Sequence, residues 1–415
     1  MYKIHRDVKQ REKSLPRNFH LLLVSGSVSR VGTTAFSLSV LWITLALTGS
    51  ALVAGLADGL FTFPLIFSFY FGALIDRSSR KKRVAVASIL VRSAAVGLIL
   101  VALFVHGYYL IIALVYSCVV ITGMMSDIVN SVRSAWTKVF LNEKQYQRGS
   151  SVSSGLISLA DGIGYASSGI LLYYGYYDAL LLIAAIFIIS VIPVLFIREK
   201  VEIEKKIRTG GLKADIAESV RFIRKNRSVM QLIVLMIFAN FIIAMVGIGF
   251  TFLVQKILFL PAYYLSVIFI ALSAGMALGS IPGGYLKGAL GFVVAPLLAV
   301  VGIMFIAMVM TPIVFILVAL VFGAGLAIGI INPVVTTVFI RKVPVEMMAR
   351  ISGTVNTLAL SATFLSGTIA GTIIQFSSIF DLFVIIGSVI VVVGVATLFM
   401  REFSSERIES HENTD

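Results

Sequence analysis

Apolar residues in this chain fall into twelve long runs, over residues 19–47, 51–75, 83–105, 108–132, 150–174, 178–197, 228–255, 263–286, 291–310, 313–339, 348–375 and 380–400. A helix rises about 1.5 Å per residue, so about 20 residues cross the ~30 Å hydrocarbon core of a bilayer. Lipid offers no partner to a backbone N–H or C=O, which leaves only helices and closed barrels as spanning structures. These runs are too long and too continuous for barrel strands of about 10 residues. The pattern predicts an all-α membrane protein of twelve transmembrane helices.

The polar connections alternate in character. The loops Thr48–Ser50, His106–Gly107, Gly175–Tyr177, Lys256–Ala262, Thr311–Pro312 and Phe376–Ile379 hold one lysine and no arginine. All of the 34 Lys and Arg residues except Arg30, Arg92 and Lys256 fall in the other connections and the two tails. Excess positive charge marks the cytoplasmic side, which places both termini there. The formal net charge of +14 therefore reports topology, and no nucleic-acid partner is expected.

The longest polar stretch divides the chain in two. It implies a cytoplasmic tail over 1–18, a six-helix bundle over 19–197, a linker over 198–227, a second six-helix bundle over 228–400 and a tail over 401–415. Within the linker, Gly210-Gly211 reads as a turn. From Leu212 to Asn226, Ile216, Val220 and Ile223 recur at helical spacing, which predicts an amphipathic helix at the cytoplasmic surface.

Composition agrees with this class. Hydrophobic residues make up 59% of the chain and charged residues 13%, against about 25% charged in soluble domains. The single cysteine, Cys118, excludes a disulfide framework and a multi-cysteine metal site. The first eighteen residues are polar and basic and do not read as a cleavable signal. There is no G-x-x-x-x-G-K-[ST] loop for a nucleotide phosphate, no H-E-x-x-H and no D-D-x-x-D. No cofactor and no metal are expected, and an enzyme is the remote alternative.

The most specific stretch is Gly72-Ala73-Leu74-Ile75-Asp76-Arg77-Ser78-Ser79-Arg80-Lys81. It resembles the loop between the second and third helices of major facilitator superfamily transporters, which reads G-x-L-x-D-R-x-G-R-[KR], with Ser79 in place of the second glycine. Leu47-Thr48-Gly49-Ser50, Asp127 with Arg133-Ser134-Ala135, Val220-Arg221-Phe222-Ile223 with Asn226, Asn332-Pro333 and Val343–Arg350 resemble, in order, elements of its macrolide-efflux-like exporters. Gly164–Gly169 lacks the proline of the antiporter element in the fifth span, and the first span has no acid near Thr33. The resemblance implies two pseudo-symmetric halves working by alternating access around a site near the bilayer midplane. It also implies a conformational latch of Gly72, Asp76, Arg77, Arg80, Asp127 and Arg133, with Asp127 against Arg80.

Ionisable groups inside a span cost roughly 2.5–3.5 kcal/mol on insertion scales and usually serve a cavity or a partner. Arg30, Asp58, Arg92, Asp127 and Asp161 are of this kind, and all lie in the first half. The deeper polar groups of the second half are Asn240, Asn332 and Asn356. Arg30 lies near the midplane, where it either binds an anionic group or pairs with Asp161 or Asp58. Asp161 is either a coupling carboxylate or a fixed partner of an arginine. Arg92 is expected to be structural, its stem reaching toward the cytoplasmic interface. Arg30, Asp58, Asp161, Asn240, Asn332 and Asn356 are the candidate substrate and coupling residues.

The expectation is a monomeric plasma-membrane transporter whose partners are a small-molecule substrate, protons and the bilayer. Export of hydrophobic or amphipathic molecules is the first reading. Uptake of a nutrient or organic anion held by Arg30 is the second.

Overall fold

The computed structural model describes residues 15–68, 70–71, 75, 78, 80–102, 104, 107–141, 143–198, 212–283, 286, 288–310, 313–400 and 407–408. The helices are α1 (Arg17–Thr48), α2 (Ala51–Thr62), α3 (Lys81–Ala102), α4 (Tyr108–Phe140), α5 (Glu143–Tyr174), α6 (Tyr176–Leu195), α7 (Leu212–Lys225), α8 (Arg227–Phe252), α9 (Ala262–Gly283), α10 (Leu290–Met310), α11 (Val314–Lys342), α12 (Val345–Phe376) and α13 (Ile379–Phe399). Among the described residues, ten helices are long and apolar enough to cross a membrane: α1, α3 to α6, α8 to α11 and α13.

One predicted span takes another form. The run 51–75 is not one continuous helix: α2 stops at Thr62, and Phe63–Phe67 follows as a 3₁₀ turn. Pro64 sits at the start of that turn; it has no N–H to give the carbonyl four residues back, so the α-helical ladder breaks there. The run 348–375 does form a helix, α12, of 32 residues; several of its side chains lie outside the described residues.

Tight turns explain two of the short loops. Gly49 ends α1 with a φ of 64°, and its N–H reaches the Leu45 carbonyl at 2.9 Å. This left-handed helix cap is open to glycine at no steric cost. Ser378 caps α13, its hydroxyl accepting from the Asp381 N–H at 3.0 Å.

The chain forms two compact units. Unit 1 holds residues 1–44 and 60–204, and unit 2 holds 45–59 and 205–415. In unit 1, α3 packs against α4 and α6, and α4 packs against the 3₁₀ turn. The Ser25 hydroxyl on α1 donates to the Ser190 carbonyl on α6 at 2.8 Å. Leu180, Ile183 and Phe187 of α6 are fully buried.

In unit 2, α9 packs against α11, α10 against α13, and α8 against α12. Glycines set these approaches. A Cβ at Gly279 would lie 2.1 Å from the Leu326 carbonyl oxygen, and one at Gly329 would lie 2.2 Å from that of Met276. The backbones of α9 and α11 thus touch directly, as small-residue crossings in membranes do. The segment 45–59 joins this unit through the same device: Gly55 and Gly59 of α2 meet the Gly367 and Phe364 carbonyls of α12.

The predicted amphipathic helix is α7. Its Phe222 and Ile223 pack onto the apolar core formed by α8, α11 and α12, and Arg221, Arg224 and Lys225 are exposed. The side chain of Ile216 lies outside the described residues. A two-residue strand pair, β1 (Gly288–Ala289) with β2 (Arg407–Ile408), ties the tail to the connection before α10.

Candidate functional site

The first helix organises the charged groups of unit 1. Ser29, Arg30, Thr33 and Thr34 occupy two adjacent stripes of α1, because residues four apart share a helix face. On one stripe, Arg30 makes a bidentate pair with Asp161 of α5. Arg30 Nε lies 2.6 Å from Asp161 Oδ1, and Arg30 Nη2 lies 3.0 Å from Oδ2. The Thr34 hydroxyl adds a third donor to Oδ1 at 2.6 Å. Two parallel N–H bonds from a planar fork fix geometry as well as charge. The Arg30 side chain is 45% exposed and that of Asp161 22%, so this pair is only partly withdrawn from solvent. Asp58 takes no part in it.

On the other stripe, α1 receives Arg92 from α3. Arg92 Nη2 donates to the Thr33 hydroxyl at 2.6 Å, and Nη1 lies 3.5 Å from that of Ser29. Its guanidinium carbon stands 3.9 Å from the centre of the Phe187 ring, a cation–π contact. The side chain is therefore turned into the bundle and does not reach for the cytoplasmic interface. Two hydroxyls and an aromatic face replace water for it there. Nε has no partner, and among the described residues no carboxylate meets this guanidinium.

Arg133 of α4 is the third cation on α1, its Nη2 donating to the Ser25 carbonyl at 3.2 Å. Its guanidinium passes beside Gly26, where a Cβ would stand in ordinary contact at 4.0 Å.

Asp127 lies one and a half turns before Arg133 on α4 and is 5% exposed. Its Oδ1 accepts from the Ser68 hydroxyl at 2.7 Å, while Oδ2 is buried with no partner. Ser68, rather than Arg80, holds this carboxylate, and Arg80 itself is exposed. Of the other expected latch residues, Gly72, Asp76 and Arg77 lie outside the described residues.

In unit 2, Asp58 stands beside the α2–α12 glycine crossing. A Cβ on Gly367 would lie 3.5 Å from its Oδ2. Asn240 turns its amide back to the Met236 carbonyl of its own helix at 2.8 Å. The side chain of Asn356 lies outside the described residues. Asn332 does line a pocket, of about 710 Å³ including its open mouth, among α8, α9, α10, α11 and α13. Leu235, Phe238, Val246, Phe305 and Ile331 form much of its wall, and Asn332 is its single polar lining side chain. The described residues hold no group of three or more His, Cys, Asp and Glu that fits a metal ion.

Sequence reasoning missed the hydroxyls of Ser29, Thr33, Thr34 and Ser68. The α1 set had a signal in the i, i+4 recurrence of Ser and Thr beside Arg30. Ser68 had none, because its approach to α4 follows from the break at Pro64.

These features define a polytopic helical protein, with a polar cluster in unit 1 and an open, mostly apolar pocket in unit 2. The profile of the Major Facilitator Superfamily matches residues 22–367, and the chain belongs to that family. No curated protein matches the chain in sequence. Solved structures share its fold at low identity. The nucleoside transporter NupG aligns with a TM-score of 0.72 at 13% identity, over 94% of this chain and 100% of its own. A bacterial homologue of the iron transporter ferroportin, in an inward-facing state, gives 0.72 at 14% identity over 95% and 100%. A bacterial homologue of the human lysosomal transporter Spinster, inward-facing and unoccupied, gives 0.71 at 12% identity over 95% and 99%.

Proposed function

We propose that this chain is a secondary active transporter that exports hydrophobic or amphipathic small molecules by alternating access, driven by a proton gradient. The observation that carries the substrate class is the apolar pocket of unit 2, whose walls offer one hydrogen-bonding side chain, Asn332. Such a site recognises shape and apolar area and uses a single polar group for orientation. A sugar or a free amino acid would leave most of its hydroxyl or charged groups unpaired there, at about 1–3 kcal/mol each.

The reading includes twelve spans in two six-helix halves, 19–197 and 228–400, with α12 and the broken second helix as the two beyond the ten. It also includes cytoplasmic termini, on the distribution of Lys and Arg, and a latch at Gly72, Asp76, Arg77, Arg80, Asp127 and Arg133.

A second reading, transport of an organic anion, has one observation in its favour. Unit 1 brings Arg30, Arg92 and Arg133 to α1, and the half-exposed Arg30 would release an anion-binding fork if Asp161 let go.

The test uses purified protein in tight vesicles, with a lipophilic cationic dye and a macrolide, with and without an imposed pH gradient. Gradient-dependent movement of either is expected. Absence of both, with uptake of a carboxylate such as benzoate that Arg30→Gln abolishes, would replace export by the anion reading.

A further inference from the structure

Unit 1 contains two membrane-embedded carboxylates in opposite circumstances. Asp161 is saturated: Arg30 and Thr34 supply three donors to its two oxygens. Asp127 is 5% exposed and receives one neutral hydroxyl, and its second oxygen is buried with nothing to meet it. A carboxylate left charged and unpaired away from water is so costly that it normally takes up a proton instead.

Among the described residues, no cation is bonded to that carboxylate. On α3, Arg92 is turned to α1 and Phe187. At the start of α3, Lys81 bonds to the Ser78 carbonyl, Lys82 to those of Leu195 and Ile197, and Arg83 is exposed. On α4 itself, Arg133 is held by the Ser25 carbonyl. Beyond the 3₁₀ turn, Tyr70 is exposed.

From this geometry we infer that Asp127 is the proton-binding group of unit 1, and that the ion-paired Asp161 is not. The proton comes from water on one side of the membrane, resides on the free oxygen of Asp127, and returns to water on the other. This rests on the proton-driven transport proposed above and names the residue that carries the proton.

The surroundings supply a reason for the proton to matter to the fold. Helix α4 meets the broken second helix at two successive turns. At Gly123 the backbones touch, since a Cβ there would lie 2.2 Å from the Phe61 carbonyl oxygen. Four residues on, the contact is the bond between Asp127 and Ser68, which directly follows the 3₁₀ turn containing Pro64. The first contact is indifferent to protonation and the second is not. Charging Asp127 therefore acts on the segment after the break while the segment before it stays anchored.

Infrared spectroscopy of the lipid-reconstituted full chain tests this without a substrate. With Asp58 replaced by asparagine throughout, a carboxylic-acid C=O band is expected near neutral pH in the otherwise unaltered protein and in Asp161→Asn, and is expected to vanish in Asp127→Asn. Ser68→Ala should move the band's frequency without abolishing it, and Asp127→Glu should retain a band, which guards against misfolding of the asparagine variant. Absence of the band from the otherwise unaltered protein, its persistence in Asp127→Asn or its loss in Asp161→Asn would each overturn the assignment.

In vesicles, Asp127→Asn should lose gradient-driven dye accumulation about tenfold or more and keep gradient-independent exchange. Accumulation as in the unaltered protein would overturn the coupling role. If no dye moves in the unaltered protein, the export reading fails, and the infrared result still decides where the proton sits.

Discussion

The α1–α5 crossing of unit 1 and the α9–α11 crossing of unit 2 solve one problem by opposite means. Both hold two helices together in lipid, where apolar side chains gain little from meeting each other. Unit 1 uses side chains, with the Arg30 fork and the Thr34 hydroxyl on Asp161. Unit 2 removes side chains, so that Gly275, Gly279 and Gly283 of α9 lie against the backbone of α11, and Gly325 and Gly329 lie against that of α9. The first contact rests on charge and hydrogen bonds. The second depends on shape alone and has no chemical control. The ion pair lies in the first unit, and the apolar pocket wall lies in the second.

The sharpest way to break this contrast is to add one methyl group. Gly279→Ala puts a Cβ where the Leu326 carbonyl oxygen stands, so both helices must separate. A loss beyond the usual ~1–3 kcal/mol of overpacking is expected, read as loss of the monodisperse peak and a large fall in Tm. Gly247→Ala and Gly97→Ala, where nothing lies within 4 Å, should leave both unchanged. Equal effects at all three positions would show that the crossing is not shape-limited.

The next effect is expected from the hidden cation. Replacing Ser29 and Thr33 together by alanine leaves the Arg92 guanidinium with only the Phe187 ring. A destabilisation of about 1–3 kcal/mol is expected for the lost partners, measured by thermal unfolding in detergent. An unchanged Tm would mean that water reaches Arg92.

Reversing charge tests whether unit 1 depends on the pair itself. Arg30→Asp and Asp161→Arg alone should each reduce dye export about tenfold or more, equivalent to ~1.4 kcal/mol per decade. The double reversal should recover part of it, with the Thr34 hydroxyl limiting recovery because it loses its acceptor. No recovery would count against a simple electrostatic contact.

The smallest effect belongs to the pocket. Asn332→Leu removes one hydrogen bond, worth about 1 kcal/mol or roughly fivefold in affinity. That loss should appear for an amide-bearing ligand and be absent for a hydrocarbon-like dye, when their apparent KM values are compared. The same change for both would place substrate elsewhere.

Much of the architecture was legible in the chain. Runs of about 20 apolar residues carry the membrane class, because a bilayer imposes length on any chain that crosses it, and the loop at Gly72–Lys81 pointed to the family whose profile matches. Arg30 and Asp161 were both visible as costly groups at similar depth, and depth is a one-dimensional property that a sequence records. Which acid faced which arginine was not visible, since azimuth depends on how each helix is rotated by its neighbours. Arg92 illustrates the limit: its stem was expected to reach toward water, and the Ser29 and Thr33 hydroxyls with the Phe187 face, from two other helices, drew it inward.

The sequence by itself determined a helical membrane protein and placed its in-span ionisable residues before the linker. It did so because hydropathy and charge are read one residue at a time. Only the tertiary structure decided that residues 45–59 pack with unit 2 through Gly55 and Gly59, that Asp161 is saturated, and that Asp127 keeps an unpartnered oxygen beside the break at Pro64. Those facts depend on which surfaces meet, and a pairwise distance between residues 59 or 131 positions apart is set by packing and by no local pattern in the chain.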